Sequence, residues 1–262
     1  MFSQIELFGQ IIKLYIIMML FGVLAFGIYA GVTAVKHKYY FLDMAMFFFI
    51  LSIGVIIGSH LFYALVNYKN MISVIENNKQ INIFSALGNI FGGRMFYGGL
   101  VGALAAGFIV IKIDNNYIKY FDIIAAGIPL FHFFAKIGCF LGGCCYEIQS
   151  KIGFNYYDSS STDIVTRFPA QLLESIFCIV LFLFLNYLFI NDKFKNNLLY
   201  LYLLIYSTGR FFIEYLRGDT YRGIWFYLSI SQIISVLIII FILIKILILY
   251  KNSIYLKGEK KK

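Results

Sequence analysis

Arg210 and Glu214 stand four residues apart in IYSTGRFFIEYLRGD (205–219), at the end of a long apolar run. On a helix that spacing puts both side chains on one face. An arginine carries a planar, permanently charged fork of five donors that matches the oxygens of a phosphate. In a bilayer the abundant phosphate is the lipid headgroup. The pair fits two roles: an ion pair that holds a helix bundle together, or a phosphate clamp in which Glu214 orients the guanidinium or accepts a proton. Gln171 and Glu174 in RFPAQLLES share a face at i,i+3, and His132 and Lys136 in FHFFAKIGC lie one turn apart. These are groups for binding an anion and moving a proton.

The elements that position them are membrane helices. Of 262 residues, 61% are hydrophobic and 13% charged, with mean hydropathy +0.82. Soluble domains are about 45–50% apolar and about 25% charged, so this composition excludes a soluble protein. Apolar runs near 11–32, 42–67, 95–113, 119–142, 170–190, 197–216 and 225–250 predict an all-α integral membrane protein of about seven transmembrane helices. Residues 1–262 read as a single multi-span membrane domain, with a small outer head segment at approximately 143–169. The first run lacks a small-residue cleavage site and reads as a retained helix. With the N-terminus outside, inner loops and tail hold eleven Lys and Arg against seven outside, which favours a cytoplasmic C-terminus. The net charge of +9 is read as attraction to anionic lipid, not to nucleic acid.

Ionisable residues inside spans cost about 2.5–3.5 kcal/mol each on insertion scales and usually face a cavity. Lys13, Asp43 and Asp122 lie near span ends, where side chains snorkel. His60 and His132 are either hydrogen-bonded between helices or candidate bases. FGGRMFYGGLVGALAAG and KIGCFLGGCCYE are glycine-rich; glycine permits close helix packing and irregular backbone beside a cavity. Cys139, Cys144 and Cys145 allow apolar packing, a Cys139–Cys144 disulfide on an oxidising face, a thiol that carries an intermediate, or a metal. No pair has the spacing of a zinc site.

Six stretches, in order, resemble the bacterial prolipoprotein diacylglyceryl transferase family over nearly the whole chain. GSHLFYAL (58–65) is similar to GxRLxYxL, and GGRMFYGGLVG (92–102) to the family's FHGGL motif. FDIIAAGIPLFHFFAKIGCFLGGCC (121–145) resembles the segment ending in GRxGNFxNGE, and RFPAQLLE (167–174) resembles RHPxQLYE. GRFFIEYLR (209–217) resembles FRxxxEFxR, and LSISQIIS (228–235) the final SMGQxLS.

The resemblance implies an enzyme of the bacterial inner membrane that transfers the diacylglyceryl group of phosphatidylglycerol to the lipobox cysteine of a prolipoprotein signal peptide. It releases glycerol phosphate and needs no metal or soluble cofactor. The implied catalytic residues are Tyr97, Lys136, Arg210 and Glu214. Tyr15, Gly98, Gly99, Cys139, Gln171 and Glu174 are the implied substrate-binding residues. Several positions depart from the pattern. Lys136 stands where the family has an arginine, Tyr97 where it has a histidine, and Cys139 where it has an asparagine. Cys144 replaces a glutamate, Glu147 a glycine and Phe168 a histidine. FYGGL together with GCFxxGCC resembles one branch of the family. A tyrosine, with an ordinary pKa near 10, is a weak base at neutral pH, so His132 and His60 are alternative bases. The departures leave two other readings open: the same fold acting on another lipid or acceptor, or a non-catalytic lipid-binding or transport protein.

Overall fold

The computed structural model describes residues 4–7, 10–77, 88, 93, 95–143, 148–157, 164–217, 224–225 and 228–259. It is mostly helical. The long helices are α1 (Leu14–Lys36), α2 (Phe41–Asn77), α3 (Phe96–Ile113), α4 (Ile118–Leu141), α5 (Ala170–Ile190), α6 (Leu198–Ile213) and α7 (Ile230–Glu259). They follow the seven apolar runs in order. Inside a bilayer a backbone must satisfy its own polar groups, and a helix does so within one segment.

Among the described residues, five helical stretches are long and apolar enough to cross a membrane: Leu14–Lys36, Phe41–Leu65, Asn115–Leu141, Ala170–Ile190 and Ser231–Ile248. The apolar part of α3, Gly98–Ile113, and the 16-residue α6 are shorter. Leu20, Leu24 and Ile28 on α1, and Ile244 and Leu247 on α7, are exposed, as lipid-facing side chains are. The chain is a multi-pass membrane protein.

Two ends differ from the sequence expectation. Residues 11–13 belong not to a helix but to strand β2 (Gln10–Lys13), which pairs antiparallel with β1 (Gln4–Leu7). Exposed Lys13 therefore ends a hairpin. The last helix starts at Ile230, after the short strands β5 (Ile224–Trp225) and β6 (Leu228–Ser229). Within the expected head segment, β3 (Gln149–Tyr157) pairs with β4 (Ile164–Arg167), with a register shift between Gln149 and Phe154.

The chain forms two compact units: Ala30–Tyr120, and Met1–Tyr29 with Phe121–Lys262. In the Ala30–Tyr120 unit α2 and α3 meet through Gly54 and Gly58 on one helix and Gly98 and Gly102 on the other. Each glycine faces backbone of the opposite helix, so a Cβ on Gly58 would run into the Gly98 carbonyl. Two small-xxx-small spacings thus make one crossing. The glycines beside Tyr97 serve packing and do not break the helix, which runs unbroken from Phe96 to Ile113.

In the other unit Gly22 and Gly127 bring α1 and α4 together, against Phe131 and Phe26 respectively. Tyr29 donates to Asn186 Oδ1 on α5 at 3.0 Å. Ser175 Oγ donates to the Phe133 carbonyl at 3.2 Å, joining α5 to α4. Asp122, 4% exposed, accepts from the backbone N–H of Asn196 at 2.5 Å and of Leu198 at 3.2 Å. Asn197, the residue before α6, makes no side-chain cap of its own. Asp122 is therefore the N-terminal cap of α6, supplied from α4.

Candidate active site

Four of the charged residues read from the sequence converge inside the unit of Met1–Tyr29 and Phe121–Lys262. Lys136 sits on α4, Glu174 on α5, Arg210 on α6, and Glu214 in the 3-10 turn Glu214–Leu216 that continues α6. Gly209 lets α6 approach α5 here; a Cβ on it would strike the ring of Phe177. The approach brings the next residue, Arg210, to Glu174.

Glu174 is the hub. Its Oε2 lies 2.7 Å from Lys136 Nζ and 3.1 Å from Arg210 Nη1. Its Oε1 accepts from the Tyr206 hydroxyl at 3.2 Å. Arg210 Nη2 lies 2.7 Å from Glu214 Oε2. That oxygen has no aligned hydrogen-bond donor among the described residues, so the contact is a charge pair. Arg217 Nε stands 3.9 Å from the same oxygen. Glu214 Oε1 accepts from Ser229 Oγ at 2.9 Å.

Arg210, Glu174 and Glu214 are all buried, with Glu174 the most enclosed. The side chain of Lys136 is 17% exposed against 10% for Arg210, so lysine is the more open of the two cations. Opposite charges alternate along the row Lys136, Glu174, Arg210, Glu214, Arg217. Three cations face two carboxylates, which leaves one positive charge over. Each terminal nitrogen of Arg210 faces one carboxylate, and a guanidinium has five donors.

Both roles read for Arg210 and Glu214 have a place in this geometry. The i,i+4 pair exists, and Arg210 also bridges α6 to α5 through Glu174. A buried pair is weak as a source of stability, because desolvation offsets much of the attraction.

Gln171 is buried one turn before Glu174. Tyr15 is half-exposed in the first turn of α1, with its backbone against Gly138 and its Cβ near Gly142. Cys139, half-buried, follows Gly138 on α4. Gly143 has φ +61 and follows this helix in the left-handed conformation open to glycine. Cys144, Cys145 and Glu147 lie outside the described residues.

Tyr97, Gly98 and Gly99 belong to α3 in the Ala30–Tyr120 unit. Gly98 and Gly99 are buried; the side chain of Tyr97 lies outside what the structure describes. His60 is half-buried on α2. His132 is buried on α4, its ring centroid 5.0 Å from that of Tyr206.

Two residues of the cluster were not singled out from the sequence. Tyr206 lies four residues before Arg210 and holds Glu174; its ring stacks on Tyr202 with centroids 5.7 Å apart. A tyrosine in a tyrosine-rich apolar helix carries no distinguishing signal. Ser229 was visible only as a letter of LSISQIIS, and its link to Glu214 is tertiary.

The model of the prolipoprotein diacylglyceryl transferase family matches residues 4–248. The chain is 36% identical to phosphatidylglycerol–prolipoprotein diacylglyceryl transferase 2 of Clostridium perfringens, over 70% of each chain. It is 34% identical to the phosphatidylglycerol–prolipoprotein diacylglyceryl transferase of Clostridium tetani, over 88% of this chain and 90% of the relative. With the Helicobacter pylori enzyme of the same name it shares 32% identity, over 83% of this chain and 80% of the relative. The expected resemblance is thereby met over nearly the whole chain, and this chain belongs to the prolipoprotein diacylglyceryl transferase family.

Proposed function

We propose that the row of Lys136, Glu174, Arg210 and Glu214 holds the phosphate of phosphatidylglycerol and stabilises it as the diacylglyceryl group departs. The chain is a transferase that moves this group from phosphatidylglycerol to a prolipoprotein. The observation that carries the site reading is the meeting of Lys136 and Arg210 on one buried carboxylate, between membrane helices.

The chemistry follows from the product. A thioether between the prolipoprotein cysteine and the diacylglyceryl group needs a new C–S bond at the glyceryl carbon. The C–O bond from that carbon to phosphate breaks, and glycerol phosphate leaves with the electron pair. A phosphodiester of charge −1 becomes a monoester approaching −2. Negative charge therefore grows on phosphate oxygens in the transition state. Donors already aimed there contribute more to the transition state than to the ground state.

Arg210 is the principal phosphate ligand, with Glu174 and Glu214 fixing its plane. Lys136 adds a point charge from the more open side; it keeps the charge of an arginine but not the fork. Gln171 helps order the site, and Tyr15 and Cys139 border the substrates. The thiol must lose its proton to attack. Tyr97 contacts the headgroup or the thiol, and the leaving phosphate is itself an acceptor for that proton. The acceptor substrate is the lipobox cysteine of a signal peptide. The site opens to the outer leaflet of the bacterial inner membrane, with the N-terminus outside and the C-terminus cytoplasmic.

The test is a transfer assay with purified protein, phosphatidylglycerol and a lipobox peptide, read by mass. The expected result is a diacylglyceryl adduct that falls at least ~100-fold in Arg210→Ala, the scale for losing an oxyanion donor. An adduct unchanged in Arg210→Ala and Arg210→Lys overturns the phosphate assignment. Adduct formation only with a different lipid moves the reading to an altered donor.

A further inference from the structure

We propose that Ser229, held by Gln232, is a positioning residue for the transfer: it fixes which cation the Glu214 carboxylate serves. The inference rests on the reading that Glu214 orients Arg210.

Glu214 caps α6 and opens a 3-10 turn, with its backbone still helical and its N–H on the Arg210 carbonyl, so what remains to be set is the rotation of its carboxylate. Its Oε2 has two cations to choose from, Arg210 Nη2 at 2.7 Å and Arg217 Nε at 3.9 Å. Turning the carboxylate moves that oxygen between them. What holds it is Ser229, whose hydroxyl donates to Oε1 at 2.9 Å.

The hydroxyl has a single proton, and its direction is set from behind. Ser229 Oγ accepts the backbone N–H of Gln232 at 3.2 Å, while Gln232 Oε1 accepts the backbone N–H of Ser229 at 3.0 Å. These two bonds form a reciprocal capping box at the start of α7. With a lone pair engaged by Gln232, the hydroxyl proton points to Glu214. Gln232 Nε2 also reaches the Phe211 carbonyl at 3.5 Å, which ties the box to the helix that carries Arg210. Gln232 is 4% exposed, so its amide has no solvent partner to prefer.

A capping residue alone would affect stability only. Glycine is nearly as good as serine at a helix N-cap but has no hydroxyl, so Ser229→Gly separates the two roles. Ser229→Gly is expected to keep the melting temperature within a few degrees and to lower kcat about tenfold, the scale of a hydrogen bond to a charged group. The KM for phosphatidylglycerol should change less than about threefold. Ser229→Thr, which keeps the hydroxyl, should restore kcat. In a Glu214→Gln background, adding Ser229→Gly should cost less than about twofold, because Ser229 acts through Glu214. An unchanged kcat in Ser229→Gly overturns the inference, as does the full tenfold loss persisting on top of Glu214→Gln. If Glu214→Gln alone keeps full activity, the site reading fails, and the inference with it.

Discussion

Lys136 Nζ lies 2.7 Å from Glu174 Oε2, nearer than Arg210 Nη1 at 3.1 Å on the same oxygen. The lysine is therefore fully part of the charged row. Lys136→Arg should keep activity or raise it severalfold, since the fork can hold Glu174 and phosphate together. Lys136→Met should lose about 10–100-fold with little change in melting temperature, since the lysine is the more open cation. Initial rates in the peptide transfer assay check both.

Glu174→Gln keeps an acceptor for Tyr206 but removes the negative charge between two cations. Breaking a buried pair costs about 3–5 kcal/mol, so the variant should unfold several degrees lower in detergent. On the proposed reading, phosphatidylglycerol returns a negative charge to that place. Its stabilising shift should be larger in Glu174→Gln than in the wild type, and thermal melts with and without the lipid read this directly. An equal shift in both proteins would place the headgroup elsewhere.

Asp122→Ala should cost about 1–2 kcal/mol, the scale of a lost helix cap, because Asn196 and Leu198 lose their acceptor. Asp122→Asn should recover much of it. The specific activity of the folded fraction should hardly change, since Asp122 is no part of the charged row. Chemical unfolding and activity per folded molecule separate the two effects.

Gly58→Ala should destabilise the α2–α3 crossing by about 1–3 kcal/mol, the usual cost of overpacking, because its Cβ meets the Gly98 carbonyl and, at 2.9 Å, Gly102 Cα. Gly27→Ala, with nothing within 4 Å of the added carbon, is the control and should be neutral or mildly stabilising.

Run length and apolarity carried most of the fold into view. Seven apolar stretches became seven helices because lipid leaves the backbone few other arrangements. Residues 11–13 and, in the last run, 225, 228 and 229 were misplaced because two- to four-residue strands have no period to read. The spacing of Arg210 and Glu214 is local and was legible as a shared face. The bond from Arg210 to Glu174 spans 36 positions and is set by how α5 and α6 pack at Gly209. Asp122 was read as a snorkelling end residue; its role as a cap depends on a helix start 76 positions away. Ser229 illustrates the same limit, since a capping serine looks alike whether or not its hydroxyl meets a carboxylate.

The length of α6 has a consequence for the bilayer. Its 16 residues rise about 24 Å, several ångströms short of a hydrocarbon layer about 30 Å thick. The Asp122 cap closes one end of this short rod and the Glu214 turn follows the other. The three residues of that turn, at about 2 Å each, add about 6 Å, so α6 and its turn together match the thickness of the layer. Arg210 lies three residues before the end of α6, so its guanidinium stands nearer to the face of the layer at the Glu214 turn than to the face at the Asp122 cap.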